Sequence, residues 1–455
     1  MATFTPSITP SPTLTLTPSI TPLPTVSFQF DNWTQVDIPD SIRKGISSPM
    51  LAFLNTNDKQ TIANLSTAEP PTNVETLYYT SPTSANSRTP ILKVNASTGN
   101  QVWIAPSGNA IAYFKDDPDT TKAGLYILDI AIGLSGRILA IPSLVQRGIA
   151  SKPAWLPDGS RLAIALAHGY DMDIFSFARD GSDFQNMTNH PAYDFWPTYS
   201  PDGRYLMFVS DRAKCPSRVP GDSEACDADG NPPSGGNIYL LELSTKQLSQ
   251  LSDQWVTEPP HWLNARRVVF TVGDQADLLN PQRSLWIADV TSGQAQEARF
   301  KDSSGAPVNL AESWSADGSK VIFQNATTTG TEIVVMTADG TVLQRVNDLN
   351  FARFSMSAAW SSDGSRLAIG GVNGQCPYGI RVFDNNFQPV ARGNPPPSMC
   401  DPIFSKDGQM IAFTGVNPRI DGRVDVYIAN NNGFGAVNLT SDLRGQIKLL
   451  GWIEP

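Results

Sequence analysis

Charge is scarce in this sequence. Asp, Glu, Lys and Arg together make up 17% of the residues, against about 25% in an average soluble domain, so the surface has to rely on Ser, Thr, Asn and Gln. Basic residues are the scarcer sign, 33 against 43 acidic ones, giving a net charge of −10 and a pI near 4.9. That balance argues against duplex nucleic acid or an anionic membrane as the main partner, because phosphate binding needs clustered Lys and Arg. No run of 18 apolar residues occurs, so no transmembrane helix is expected. Histidine is rarer still: His168, His190 and His261 are the complete set. Gly-x-Ser-x-Gly, a phosphate loop and a dinucleotide fingerprint are all missing, which removes the usual signals of an attached α/β-hydrolase or a nucleotide site.

The N-terminus, Met1-Ala-Thr-Phe-Thr-Pro6, lacks the charged and apolar regions of a signal peptide. The rest reads as extracytoplasmic (periplasmic, cell-surface or secreted), so the expectation is a leader or anchor outside this sequence. Residues 1–26 form a Thr/Pro/Ser tract in which Pro6, Pro10, Pro12, Pro18, Pro22 and Pro24 recur. Proline removes ladder donors and favours polyproline II, so this tract reads as a disordered or semi-rigid stalk. Four cysteines occur in two local pairs, Cys215 with Cys226 and Cys376 with Cys400. An even number in loop-rich positions points to two disulfides and an oxidising compartment. Each would contribute roughly 2.5–3.5 kcal/mol by the chain-entropy estimate. Zinc fits poorly, since neither pair has close-spaced ligands.

What the chain has in abundance is one repeated phrase. Its clearest copy is Pro153-Ala-Trp155-Leu-Pro-Asp158-Gly159-Ser-Arg-Leu162-Ala-Ile164. An aromatic ends a short strand, Asp-Gly makes the turn, and an alternating apolar strand follows. The phrase recurs from Tyr199, Trp314, Trp360 and Phe404, more weakly from Trp103 and Trp262, and as a fragment at Trp452, at intervals of 44 to 63 residues. A third strand follows each time, for example Asp173-Ile-Phe-Ser-Phe177 or Val424-Asp-Val-Tyr-Ile428, and a more polar fourth usually closes the unit. Four short antiparallel strands per ~45 residues is the blade of a β-propeller. The expectation is therefore an all-β chain with very little helix. Seven complete units begin at the aromatics above. The leftover strand around Trp452 could pair with N-terminal strands at Met50 to Leu54, Thr76 to Tyr79 and Ile91 to Val94 to make an eighth, closing blade, with seven blades as the fallback. Residues 27–75 read as an irregular lead-in to that blade and 76–455 as the propeller.

The run Met187-Thr-Asn-His190-Pro-Ala-Tyr-Asp194-Phe-Trp-Pro197-Thr-Tyr-Ser-Pro-Asp202-Gly203, continuing to Phe208-Val-Ser-Asp211, resembles the TolB-like, WD-like propeller repeat of bacterial envelope proteins. The resemblance covers about residues 76–455. It implies an extracytoplasmic interaction platform, often anchored or fused to other modules. TolB itself carries a further N-terminal domain, for which residues 27–75 are short and irregular.

In such a blade the Asp-Gly turns lie on one face. The longer insertions, including Asp211 to Gly236 and both cysteine pairs, fall on the other. Binding is expected on that long-loop face. Within it, Asp227, Asp229 and Asn231 are similar to the start of a calcium loop, since hard cations take alternating oxygens. The glycine falls at the fourth place, Pro232 takes the sixth and no Glu closes the loop, so a solvated disulfide-tied loop is the competing reading. No other cofactor is expected. His190 with Asp194, and His168 with Asp171 and Asp173, could form a metal or acid–base site. A structural role is the alternative, with the aspartate of the Pro-Ala-Tyr-Asp stretch ordering its loop. His261 reads as a partly buried strand residue. The leading expectation is a non-catalytic scaffold that binds a protein or a surface glycan on the loop face or at the central pore mouth. A propeller lyase or glycosidase is the second reading. Lyases of that kind gather several histidines and a glycosidase needs paired carboxylates. A structural part of a surface layer or filament is the third.

Overall fold

The computed structural model describes residues 33–57, 74–83, 87–95, 101–117, 119–226, 232–273, 283–299, 308–327, 330–346, 356–372, 376–390, 397–416, 423–443 and 445–453. One α-helix, Asp40–Arg43, occurs among them, and none is long and apolar enough to cross a membrane. Everything else that is regular is β-structure, and most of its sheets have four antiparallel strands, as the repeat predicts.

Four sheets are simple four-stranded meanders in chain order. They begin at Ala154–Trp155, Asp194–Tyr199, His261–Trp262 and Val308–Trp314. The sheet that begins at Gln101–Ile104 has the short strand Thr34–Gln35 added beyond Leu134–Leu139. The two C-terminal repeats are joined into one sheet, because Leu367–Gly371 touches Cys400–Phe404 through a parallel bridge at Gly371 and Cys400. Apart from a two-stranded hairpin of Val145–Gln146 and Ile149–Ala150, the remaining sheet is composite: Gln446–Ile453, the last strand of the chain, pairs with Met50–Asn57, which continues to Val74–Thr80 and Thr89–Asn95. In that pairing Leu51 faces Trp452 and Leu54 faces Lys448.

The repeat turn has a common geometry. Gly108, Gly159, Gly203, Gly318, Gly364 and Gly408 all adopt φ between 67° and 71°, a region open to glycine at little cost. The aspartate before it remains at ordinary φ and serves as an acceptor, taking the backbone N–H two residues on, as in Asp202 with Arg204 and Asp407 with Gln409. The serine of Ser-x-Asp-Gly completes the turn. Ser200, Ser315, Ser361 and Ser405 each donate from Oγ to the aspartate at 2.6–2.7 Å and accept the N–H five residues on at 2.9–3.0 Å.

The repeat aromatic links neighbouring sheets. Trp155, Trp360 and Trp452 donate their indole N–H to Trp103 O, Ser313 O and Ile403 O, each on the first strand of the preceding repeat, at 3.0–3.2 Å. Trp155 and Trp314 are buried among the apolar second and third strands of adjoining sheets. Leu51 and Phe53 from the N-terminal part pack with Ala412, Val426 and Ile428 of the last repeat.

Candidate functional site

Two places gather chemistry. The first is the polar seam between the sheets that begin at Ala154 and Asp194. Asp173, on the third strand of its sheet, is 1% exposed. Its Oδ1 accepts from Thr188 Oγ1 and the His190 N–H, both at 3.0 Å, and its Oδ2 from Asn186 Nδ2 at 2.7 Å. The same device recurs in the last repeat, where Asp425 accepts from Asn438 and Thr440. This spacing, Asp-x-aromatic followed by Asn-x-Thr, lets a third-strand carboxylate fasten the fourth strand and the loop beyond it. Asp194 lies at the start of the next first strand, fully buried and in a bidentate pair with Arg212 at 2.8 and 2.9 Å. Burial pushes its carboxyl up to about 6, against the pull of Arg212. Asp211 receives the Tyr193 N–H at 2.8 Å and pairs with Arg218, whose guanidinium lies over the Tyr193 ring.

This arrangement corrects part of the sequence reading. The carboxylates that order the 186–193 loop are Asp173 and Asp211 together with Asp194, which takes side-chain hydrogen bonds from Thr188 and Ser210 besides holding Arg212. His190 contributes its backbone N–H to Asp173, and its Nδ1 accepts from the Ala192 N–H at 3.1 Å, which is a structural role. His168 and Asp171 do meet Asp173. They end the hairpin between Arg161–His168 and Asp171–Ala178, with His168 Nδ1 3.5 Å from Asp171 Oδ1 and 3.6 Å from Asp173 Oδ2. Burial, then the charge of Asp173, pushes the Asp171 carboxyl up to about 7. His261 lies in its strand but is exposed, not partly buried, because alternation along the strand turns it away from the side that Trp262 packs. Cys215 is bonded to Cys226 and Cys376 to Cys400. Asp227, Asp229 and Asn231 lie outside the described residues, so the calcium reading has no geometry to judge.

The second place is a cavity of about 960 Å³ at the Asp-Gly-turn end of the first strands. Trp103, Phe404 and Trp452, each partly exposed, line it with Val102, Ile104 and Leu450. Proline contributes at Pro106, Pro157 and Pro201, and Lys152 and Lys406 bring positive charge. Sequence reasoning favoured the opposite, long-loop face and gave the mouth of the central pore as the alternative. The available signal was the aromatic that recurs at the end of every first strand. A smaller cavity of about 530 Å³ lies toward the other end, against Cys376, Cys400, Asp401 and Lys448.

Comparison with known proteins agrees with this architecture. A family model described as the TolB beta propeller domain matches residues 87–217. A protein TolB homolog of Chlorobium luteolum is 28% identical over 144 residues, 32% of this chain and 26% of the relative. Dipeptidyl-peptidase 5 of Porphyromonas endodontalis is 25% identical over 178 residues, 39% of this chain and 24% of the relative. The matches thus span about a quarter of those relatives' length. Among solved structures, Porphyromonas gingivalis dipeptidyl peptidase 4 aligns over 90% of this chain and 62% of its own at a TM-score of 0.51 and 12% identity, a likeness of fold alone. Residues 87–217 are thus similar to the TolB beta propeller domain, and the repeats of this chain are TolB-like.

Proposed function

We propose that this chain is a non-catalytic, extracytoplasmic binding scaffold that docks a protein segment or a surface glycan in the mouth formed by its first strands. The observation that carries the reading is the lining of that mouth. It combines partly exposed aromatic and aliphatic surface with two lysines, and none of its lining residues is Asp, Glu, His or Cys. Hydrolysis of a glycoside uses two facing carboxylates, and nucleophilic hydrolysis needs a base beside a Ser or Cys. Aromatic walls with a few cations suit recognition instead. Two disulfides favour an oxidising compartment.

The scaffold is read as eight blades. Counting the joined C-terminal sheet as two repeats gives eight first strands, and the pairing of Gln446–Ile453 with Met50–Asn57 supports closure of the ring by its two ends. Such pairing removes the exposed edges that an open array would leave.

The test is a screen of the purified chain against glycan and peptide arrays, repeated with Lys152→Glu/Lys406→Glu. Both lysines are exposed, so the double variant keeps the fold. A saturable ligand, unchanged after incubation and weakened by the double variant, supports the reading. Release of cleaved sugar or peptide by the wild-type chain overturns it.

A further inference from the structure

We propose that His168, Asp171 and Asp173 form a binding site for one first-row divalent cation, of which zinc and manganese are the best fits. This site is separate from the mouth formed by the first strands and does not depend on its function. The three residues offer one nitrogen and two carboxylate oxygens that all lie within 4.8 Å of one another. The His168 Nδ1 distances of 3.5 and 3.6 Å to Asp171 Oδ1 and Asp173 Oδ2 are too long for good hydrogen bonds. They are close to what chelation needs, since two atoms held at 2.0–2.1 Å from a tetrahedral ion stand about 3.3 Å apart.

A second observation separates these carboxylates from their neighbours. Four aspartates are gathered at this seam. Asp194 is paired with Arg212 and Asp211 with Arg218. Among the described residues, the one ion-pair partner of Asp171 and Asp173 is His168. Asp173 is held by three neutral donors, and its Oδ2 accepts from Asn186 alone, which leaves that oxygen a second lone pair. Asp171 Oδ1 is wholly buried and receives no hydrogen bond. A buried carboxylate oxygen without a donor is costly, and a bound cation would compensate both charges at once. The geometry also leaves a way in. His168 is 47% exposed, and Gly169, next to it in the turn, has nothing near its Cβ position.

An imidazole beside two carboxylates selects for zinc or manganese, whereas calcium prefers an all-oxygen set. Asp173 has a double duty, orienting the 186–190 loop through one oxygen while offering the other to the ion. That places the ion at the turn end of the hairpin it would stiffen.

The experiment is calorimetric titration of the untagged full chain, stripped with EDTA and dialysed, with ZnCl2, MnCl2 and CaCl2 in turn. The expected result is one zinc or manganese ion per chain, with binding weakened about tenfold or more by His168→Ala and by Asp171→Asn, and unchanged in His261→Ala. Melting curves in EDTA show that each variant is folded; His168 is half-exposed, so its removal is tolerated. Absence of saturable uptake of zinc and manganese overturns the proposal. So does uptake that survives both variants, or binding of calcium alone.

Discussion

Trp196 and Asp401 occupy the same place in two different sheets. Each precedes a proline, Pro197 or Pro402, at a β-bulge three residues before the repeat aromatic, and each has positive φ, 55° and 47°. Backbone of this kind is unfavourable for a residue with a side chain. At Trp196 the reason is visible, since the indole N–H reaches Ala150 O at 3.0 Å and the ring meets Phe195 edge-on. At Asp401 no such bond forms among the described residues. The residue is exposed at the smaller cavity, yet the surrounding walls strip water from its carboxyl and push its pKa upward. An acid whose pKa is raised by folding holds its proton more tightly in the folded chain. Its stabilising contribution is full below the ordinary carboxylate range and is lost as pH rises through the raised value. Asp401→Asn keeps the shape and tolerates the same backbone. It should melt above the wild type at neutral pH, with the gap closing toward about pH 4; a constant or reversed gap refutes desolvation as the cause. Asp194 behaves differently, because its partner is buried with it. Arg212 also lies over the Phe208 and Tyr239 rings. Asp194→Ala strands that guanidinium and should cost about 3–5 kcal/mol in urea denaturation. The Asp194→Ala/Arg212→Ala pair should cost less than the two single changes added together.

At the scale of the element, the turn glycines share a conformation but not a neighbourhood. A Cβ at Gly364 meets nothing within 4 Å, whereas at Gly108 it would lie 2.2 Å from Ile453 Cγ2 and 2.8 Å from Ile46 Cδ1. Gly364→Ala should therefore lose only the backbone term, roughly 1–2 kcal/mol. Gly108→Ala should lose distinctly more, because it also displaces the last strand of the chain. Equal losses in thermal melts would show that Ile453 does not dock there. The strand rhythm and the turns were legible in the sequence because both are local: Asp-Gly beside an aromatic and an alternating strand fits within a dozen residues. The serine's part in the turn was equally local and was passed over. What the sequence did not reveal was pairing at longer range. Asp173 reaches Thr188 across 15 residues and Asp211 reaches back to Tyr193 across 18, and a single pass along the chain does not show which carboxylate a loop will choose. Repetition could have helped, since Asp173…Asn186-x-Thr188 and Asp425…Asn438-x-Thr440 are the same sentence written twice. His261 was misread for another reason: an aromatic neighbour suggested burial, while alternation sends adjacent residues to opposite sides.

For the whole molecule, the decisive contact joins its two ends. Gln446–Ile453 is the innermost strand of a sheet whose other three strands come from residues 50–95. Its Trp452 bonds to Ile403 O exactly as far along the repeat as Trp360 does to Ser313 O, and Leu449 and Trp452 pack with Leu51, Phe53 and Val426. A linear array of repeats stabilises each unit through its neighbours alone, and loss of an end unit then weakens only the unit beside it. In the closed ring proposed above there is no end unit, so removing the Gln446–Ile453 strand bares the edge of the strand it pairs with and loosens the repeats on both sides. Deletion of residues 446–455 should therefore leave Met50–Asn57 with an open edge and bare Leu51 and Phe53. It should replace one sharp calorimetric transition by a broad one at lower temperature, with dye binding to exposed apolar surface. If the shortened chain instead melts sharply within a few degrees of the full one, the proposed closure of the ring by its two ends is overturned.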